Sequence, residues 1–557
     1  MNILFCALNS KFIHSSLAPW YLKAAVEGDT KSRAMVFEGT INENEEILLD
    51  KILKYDFDMI GFSTYIWNVK SVLSLSKKIK MIRPNSKIVL GGPEVSYNAN
   101  EILKNNPFID FIISGEGEEP FSQIASDTPY EDVYGLCYRK NDEIIIKSPH
   151  VSNFDPPFPY TESYFESLNE RITYIETSRG CPFNCAFCLS GRCGGVRFFD
   201  LEESKRKILL LANSGTQTVK FIDRTFNANK RRAIELFRFI IDSYVSEKIP
   251  PCVCFHFEIE GELVDEETIE VLKNAPSGLF QFEIGLQSFN GKTLEYINRK
   301  TNFPKLTSVI RKIISLGNIH VHIDLIAGMS YESLESFENS FNEAIKLRPH
   351  MLQLGFLKLL HGAEMRENTE KFKFEYSKEP PYEVVSTDWI SSEELERLHL
   401  LEDAFEKLYN SARFFETCEY IFSNTENVFK VIMDFALYCK KENVKNTLDD
   451  FTSSILKFFG GLQYINGRKL RDFLALDRLS TNKMGTLPES IKIHSPIIKK
   501  ALNELEKEPT TKKEKGVKRA ATILPTMSKF IYVDYKNIDK VQKRYKVNEI
   551  FINFEEF

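Results

Sequence analysis

Along residues 1–130 the apolar positions follow two different periods. Four short runs are almost continuously apolar: NILFCAL (2–8), MIGFSTY (59–65), KIVLGG (87–92) and FIDFIISG (108–115). Bounded by glycine and polar clusters, they predict strands buried on both faces. Stretches between them, such as SVLSLSKKIKMI (71–82), carry apolar residues three and four apart and predict amphipathic helices. Strand alternating with helix predicts an α/β fold that begins with a doubly wound, Rossmann-like parallel sheet. Such sheets receive ligands beyond the carboxyl ends of their strands.

Residues 131–170 break this rhythm with a predicted hairpin, YGLCYRKNDEIIIK, and a proline-rich connector, DPPFPYTES. Over 171–375 the alternation returns, with strand candidates RITYIETS, TVKFID, VCFHFEI, FQFEIGLQ, HVHIDLIAG and MLQLGFLKL. That series predicts a partial (β/α)6 parallel barrel with its active site at the strand C-terminal ends. Residues 376–557 change again: a loop, EPPYEVVST, precedes SSEELERLHLLEDAFEKLYN, which has the spacing of an amphipathic helix. With one late strand candidate, KFIYVDY, this part is expected to be a separate, mainly helical domain. The lysine-rich TKKEKGVKR reads as an exposed loop, with a patch for an anionic partner as the alternative.

Composition adds exclusions. At 557 residues, 43% hydrophobic and 27% charged, the chain has ordinary globular composition. A formal net charge of −6 gives no positive field for nucleic acid. No uninterrupted apolar stretch approaches the roughly 18 residues of a membrane span. The N-terminal MNILFCALNSKFIHSS lacks a basic n-region and is expected to be a strand, not a signal peptide, which implies a cytoplasmic protein. Of ten cysteines, four fall between Cys181 and Cys193. That clustering favours metal or redox chemistry over disulfide cross-links.

The cluster lies in ETSRGCPFNCAFCLSG, directly after a strand, with Cys181, Cys185 and Cys188 spaced C-x3-C-x2-C. Thiolates are soft ligands suited to iron–sulfur clusters. Three ligands on a four-iron cube leave one iron open to an external ligand. A zinc site is the competing reading, because Cys193 could add a fourth thiolate.

This loop, including Phe187 before the third cysteine, resembles that of the radical S-adenosylmethionine (SAM) superfamily. The resemblance implies a 4Fe-4S cluster whose open iron binds SAM and cleaves it to methionine and a 5′-deoxyadenosyl radical. It also implies an electron donor such as flavodoxin or ferredoxin. Five further residues follow by similarity: Asp223 in FIDRTFN at the SAM amino group, Glu258 in FHFEIEGEL at the ribose, and Gln287 and Asp324, also at the ribose. Arg299 in YINRK would clamp the methionine carboxylate. Glu260 is a rival for Glu258 on the same strand face. Strand-end carboxylates also serve as helix caps and ion pairs, so only the order of these residues behind the cysteines distinguishes them.

The first domain resembles the cobalamin-binding domain that precedes the barrel in one radical SAM class. The matching segments are IGFSTYIWN, LGGPEVSYN and ISGEGEEPF, so Ser63, Trp67, Gly91, Gly92, Gly115, Glu116 and Gly117 are the expected cobalamin residues. Glycines after strands admit close approach of a bulky ligand. The D-x-H-x-x-G motif that gives cobalt a histidine is missing, and His14 is expected to be a loop hydrogen-bonder. Cobalamin-dependent methylation of an unactivated carbon is the function this implies. A non-methylating rearrangement, cyclisation or oxidation is the alternative, and a cluster or cobalamin sensor the non-enzymatic one. A methylthiotransferase would need a second three-cysteine set in the first domain, where only Cys6 and Cys137 occur; Cys418 and Cys439 are too few for auxiliary clusters.

Overall fold

The computed structural model describes residues 1–141, 143–509 and 511–551, without the side chains of Asp29 and Cys193. The chain divides into two compact units. The first comprises Met1–Leu279, Lys292–Asn302 and Phe356–Asp388; the second comprises Phe280–Gly291, Phe303–Gly355 and the chain from Trp389 onward.

The first unit opens with a seven-stranded sheet: β1 (Asn2–Asn9), β2 (Arg33–Thr40), β3 (Met59–Ser63), β4 (Lys87–Gly91), β5 (Phe111–Ile113), β6 (Leu136–Lys140) and β7 (Glu143–Ile145). Its order is β2-β1-β3-β4-β5-β6-β7. The first five strands are parallel and the last two antiparallel. Both faces of β1 are covered, which explains its unbroken apolar run. Leu4, Cys6 and Leu8 pack in one core cluster, while Ile3 and Phe5 pack in another. Val72, Leu75 and Ile79 on helix Val69–Ile82 supply one face of the first cluster. The hairpin β6–β7 belongs to this sheet, and Leu136, Cys137 and Tyr138 enter its cores. The sheet therefore runs past residue 130, to Ile145.

Next come β8 (Thr173–Ile175), β9 (Ser178–Gly180), β10 (Val196–Phe198), β11 (Thr218–Phe221) and β12 (Cys254–Ile259). Strands β8, β11 and β12 are parallel, with Lys220 in register with Tyr174 on one side and His256 on the other. Phe221, Phe255 and Phe257 are fully buried on the opposite face. Phe221 stacks on Phe257 at 4.4 Å, and Phe237 from helix Lys230–Val245 packs edge-on at 5.3 Å.

In the second unit β13 (Phe280–Gln287) and β14 (Ile319–Ala327) run parallel, with β15 (Met351–Phe356) beside β14. Phe280, Phe282, Ile284 and Leu286 are buried, and Gln281, Glu283 and Gln287 alternate with them. The first unit thus carries three parallel strands of the expected β/α series, and the second carries a parallel pair with β15 beside it.

A short antiparallel pair in the first unit, β16 (Phe374–Tyr376) and β17 (Val384–Thr387), precedes the helical part. Helix Ser392–Phe405 begins with a capping box, in which Ser391 and Glu394 satisfy each other's backbone N–H groups. Five more helices of nine to fifteen residues follow, up to Lys507. The chain then makes an antiparallel sheet of β18 (Arg519–Leu524), β19 (Lys529–Ile538) and β20 (Tyr545–Phe551). This part is thus helical with a three-stranded ending, where one strand was expected.

Candidate cofactor site

The cysteine loop is pinched at its base. Strands β9 and β10 flank it and pair Gly180 with Val196. Gly180 has φ +93°, and a Cβ there would lie 1.9 Å from the Gly195 carbonyl oxygen, so only glycine permits this crossing. Asp223, 1% exposed, anchors the segment leading in: it accepts hydrogen bonds from Thr177 N–H (3.0 Å), Thr177 Oγ1 (2.7 Å) and Ser178 Oγ (2.6 Å). Its carboxyl is raised by burial, against the pull of these donors. Asp223, expected at the SAM amino group, thus braces the segment that leads into the cysteine loop.

Within the loop, Ala186 N–H donates to Ile297 O and Met365 N–H to Ala186 O. Cys181 Sγ lies 3.2 Å from Thr225 Oγ1, and Cys188 Sγ accepts from Ser190 N–H at 3.4 Å. Cys185 Sγ accepts from Arg299 Nη1 at 3.9 Å. Burial pushes the Cys185 thiol up, and the Arg299 cation opposes this. Among the described residues no three His, Cys, Asp or Glu side chains close on a single ion. The thiolates of a four-iron cube each bind a different iron, so a cluster does not require it. The Cys193 side chain lies outside the described residues.

Arg299 also pairs with Glu260, Nη2 to Oε2 at 2.9 Å, and both side chains are more than 85% buried. Glu258 faces Arg224 at 3.8 Å. Of the two rivals, Glu260 is the one joined to Arg299.

In the second unit Gln287 sits at the end of β13 beside a register shift, with φ +72°. A non-glycine residue held there stores roughly 1–3 kcal/mol of strain. Its Oε1 is buried with no hydrogen-bond partner among the described residues. Asp324, in register with Gly285 on β14, lies 3.0 Å from His322 Nε2.

The seven residues expected at cobalamin, Ser63, Trp67, Gly91, Gly92, Gly115, Glu116 and Gly117, all line one cavity of about 550 Å³ in the first unit. Its far wall holds Tyr174, Glu176, Arg179, Ile222 and Arg224. Trp67 stacks on Tyr65 at 4.5 Å and donates from Nε1 to Leu8 O. Two of these glycines are also required by the chain's own packing: a Cβ on Gly92 would meet Thr64 O at 2.6 Å, and one on Gly115 would meet His150 O at 2.2 Å. His14 also lines the cavity, with Nδ1 2.6 Å from Tyr174 Oη, and burial lowers its pKa.

An ion network that sequence reasoning missed ties this cavity to the cysteine loop. Arg179, two residues before Cys181, bonds Glu116 from Nη1 (2.7 Å), Glu118 from Nη2 (2.6 Å) and Glu176 from Nε (3.0 Å). Arg197 adds a 2.8 Å bond to Glu116. Burial pushes Glu176 up to about 6; it pushes Glu118 up as well, but Arg179 outweighs it and leaves Glu118 lowered. The available signal was the density of acids in GEGEE and the arginine inside the cysteine motif.

Family models match in three blocks: B12 binding domain over residues 4–125, Radical SAM superfamily over 175–344, and a protein of unknown function, DUF4080, over 370–552. The chain carries a radical SAM domain behind a B12 binding domain. The radical SAM chain is 25% identical over 319 residues to 2-(S-pantetheinyl)-carbapenam-3-carboxylate methyltransferase of Streptantibioticus cattleyicolor, covering 53% of this chain and 46% of that one. It is likewise 25% identical over 328 residues to the cobalamin-dependent radical SAM methyltransferase TokK of Streptomyces tokunonensis, covering 54% and 47%. It thus spans about half the length of these curated relatives. Its fold matches the cobalamin-dependent SAM radical enzyme OxsB, solved with aqua-cobalamin and SAM, at TM-score 0.61 and 14% identity, over 91% of this chain and 80% of that one. No helix among the described residues is long and apolar enough to cross a membrane.

Membership implies a 4Fe-4S cluster, SAM and cobalamin, and a reductant for the cluster. The residues present fit these groups. Three soft thiols share one braced loop, an orphaned amide oxygen waits at Gln287, and a cavity opens at the strand ends of the first sheet.

Proposed function

We propose that this protein is a radical SAM enzyme that methylates an unactivated carbon. The observation that carries the reading is the single cavity whose one wall is the expected cobalamin loops and whose other wall leads, through Arg179, into the cysteine loop. When bound, the cluster supplies the electron that splits SAM to a 5′-deoxyadenosyl radical, and cobalamin carries the methyl group that replaces the abstracted hydrogen.

The chain's own residues orient these centres. Cys181, Cys185 and Cys188 hold the cluster, and Asp223 fixes the strand that presents them. Arg299, held by Glu260, presents its guanidinium to the SAM carboxylate. Gln287 and Asp324 suit the ribose hydroxyls, with Glu258 as a further ribose contact. Ser63, Gly91 and Gly92 border the cobalamin cavity with Gly115, Glu116 and Gly117, and Trp67 supplies an apolar shelf. Holding reactants in place converts an encounter into a near-unimolecular step. Flavodoxin or ferredoxin suits the reductant's role, and a reducing cytoplasm suits an oxygen-sensitive cluster.

The test uses anaerobic, cluster- and cobalamin-loaded protein with SAM carrying a deuterated methyl group. Each turnover should yield one S-adenosylhomocysteine and one 5′-deoxyadenosine, with the label on product carbon. If 5′-deoxyadenosine forms, the substrate changes and no label reaches the product, the enzyme is a non-methylating one.

A further inference from the structure

The charged residues on the cavity wall are not equally committed. Arg179 spends all three edges of its guanidinium on Glu116, Glu118 and Glu176. Arg224 lines the same cavity with its side chain 55% exposed. Its nearest carboxylate among the described residues is Glu258, at 3.8 Å, beyond hydrogen-bond distance. The fork of N–H donors is therefore available, and its geometry matches a carboxylate or phosphate bidentately.

The backbone on either side of Arg224 is fixed. Asp223 before it is buried and holds Thr177 and Ser178, and Thr225 after it lies 3.2 Å from Cys181 Sγ. Arg224 thus stands where the cavity meets the cysteine loop. On the methylation reading, on which this inference rests, the reacting carbon must lie between those two places.

We propose that Arg224 is a substrate-binding residue that grips an oxyanion, a carboxylate or phosphate, carried by the substrate near its reacting carbon. The substrate class is then an acid or phosphate ester, not a neutral or cationic molecule.

The probes are inorganic phosphate and carboxyl-labelled acetate, titrated separately at constant ionic strength into protein carrying cluster, cobalamin and SAM. Binding is followed by 31P and 13C line broadening with the cluster oxidised. Wild type should bind at least one probe saturably, and the two arms tell phosphate from carboxylate. Arg224→Gln should weaken that binding tenfold or more, with SAM affinity and iron and cobalt content unchanged. Arg224→Lys, which keeps the charge but loses the fork, should weaken it several-fold; it decides the matter if the glutamine variant does not load iron. No saturable binding by wild type, or equal binding by the variants, overturns the proposal. So does a fall in SAM affinity on Arg224→Gln, which would make Arg224 a SAM residue. Because the titration needs no turnover, absence of methyl transfer refutes the methylation reading without touching this result.

Discussion

Replacing Arg299 should damage two things that can be separated. Its guanidinium is 2.9 Å from Glu260 and 3.9 Å from Cys185 Sγ, and side-chain exposure is 14% for Arg299 and 12% for Glu260. Arg299→Leu leaves Glu260 buried without its cation, a situation that costs about 3–5 kcal/mol when burial is complete. Residual exposure screens the charge, so about 2–3 kcal/mol is expected here. Glu260→Gln removes the stranded charge, and the double variant should recover at least half of that loss. SAM binding should behave differently. A charge-assisted pair to the carboxylate contributes about 1.5–3 kcal/mol, so affinity should fall tenfold or more in both the single and the double variant. Urea midpoints of the apoprotein measure the first effect, and anaerobic equilibrium dialysis with SAM measures the second, with iron content as control. Unchanged SAM affinity in a folded, four-iron Arg299→Leu protein refutes the clamp. A double variant as unstable as the single one refutes the stranded-charge argument.

Changing Cys181, Cys185 and Cys188 together to alanine should abolish iron loading and the blue-edge charge-transfer absorption of the reconstituted protein; full loading would refute the assignment, and loss of iron in Cys193→Ala would revive a four-thiolate site. Cobalamin should bind base-off, because His14 Nδ1 is engaged with Tyr174 Oη at 2.6 Å, and His14→Ala should leave the cobalamin spectrum unchanged; a spectral shift would put the imidazole on cobalt. Glu332 is fully buried, accepts from the hydroxyls of Ser288, Ser340 and Ser336, and is pushed up by burial to about 7. A raised carboxyl binds its proton more tightly in the folded state, so its contribution is full below about pH 4 and is lost as pH rises through about 7. The shift corresponds to about 3 kcal/mol, so hydrogen exchange over residues 280–291 and 329–345, corrected for intrinsic rates, should show weaker protection at pH 8 than at pH 5. Glu332→Gln should flatten that dependence, and an unchanged pH slope in the variant would show that another group titrates.

What the sequence disclosed follows from where its physics is local. Strands β1, β3 and β4 are buried on both faces, and nothing but strand fits so short an apolar run. The cysteine spacing is local too, and so is the capping box at Ser391. The hairpin β6–β7 was legible as a hairpin but not as part of the first sheet, because the charged RKNDE at its tip reads as linker while its pairing partner, Phe111–Ile113, lies more than twenty residues back. Strands β18 and β20 were hidden by their mixed composition: Arg519 begins a strand whose buried residues are Thr522, Ile523 and Leu524, and Lys546 stands on one with no buried residue.

The site divides along the same line. Distance along the chain between partners, not residue type, governed which roles could be read. All seven residues expected at the cavity line it, since each ends or follows a strand whose C-terminal end the pattern had located. Asp223 could not be assigned in that way. Whether a strand-end carboxylate meets a ligand or the protein depends on what lies opposite, and here Thr177 and Ser178 stand there, forty-six and forty-five residues away. The same holds for Arg179, whose partners Glu116 and Glu118 lie sixty-three and sixty-one residues back. These long-range pairs join the cavity of the first sheet to the cysteine loop. A substitution such as Glu118→Gln should therefore act on the cysteine loop even though no contact joins Glu118 to a cysteine. It leaves Arg179 with one charge partner fewer inside a buried network, where each remaining hydrogen bond carries more weight than in water. The loop's position is thus a property of the network, and the cysteine motif alone, however specific its spacing, does not determine it.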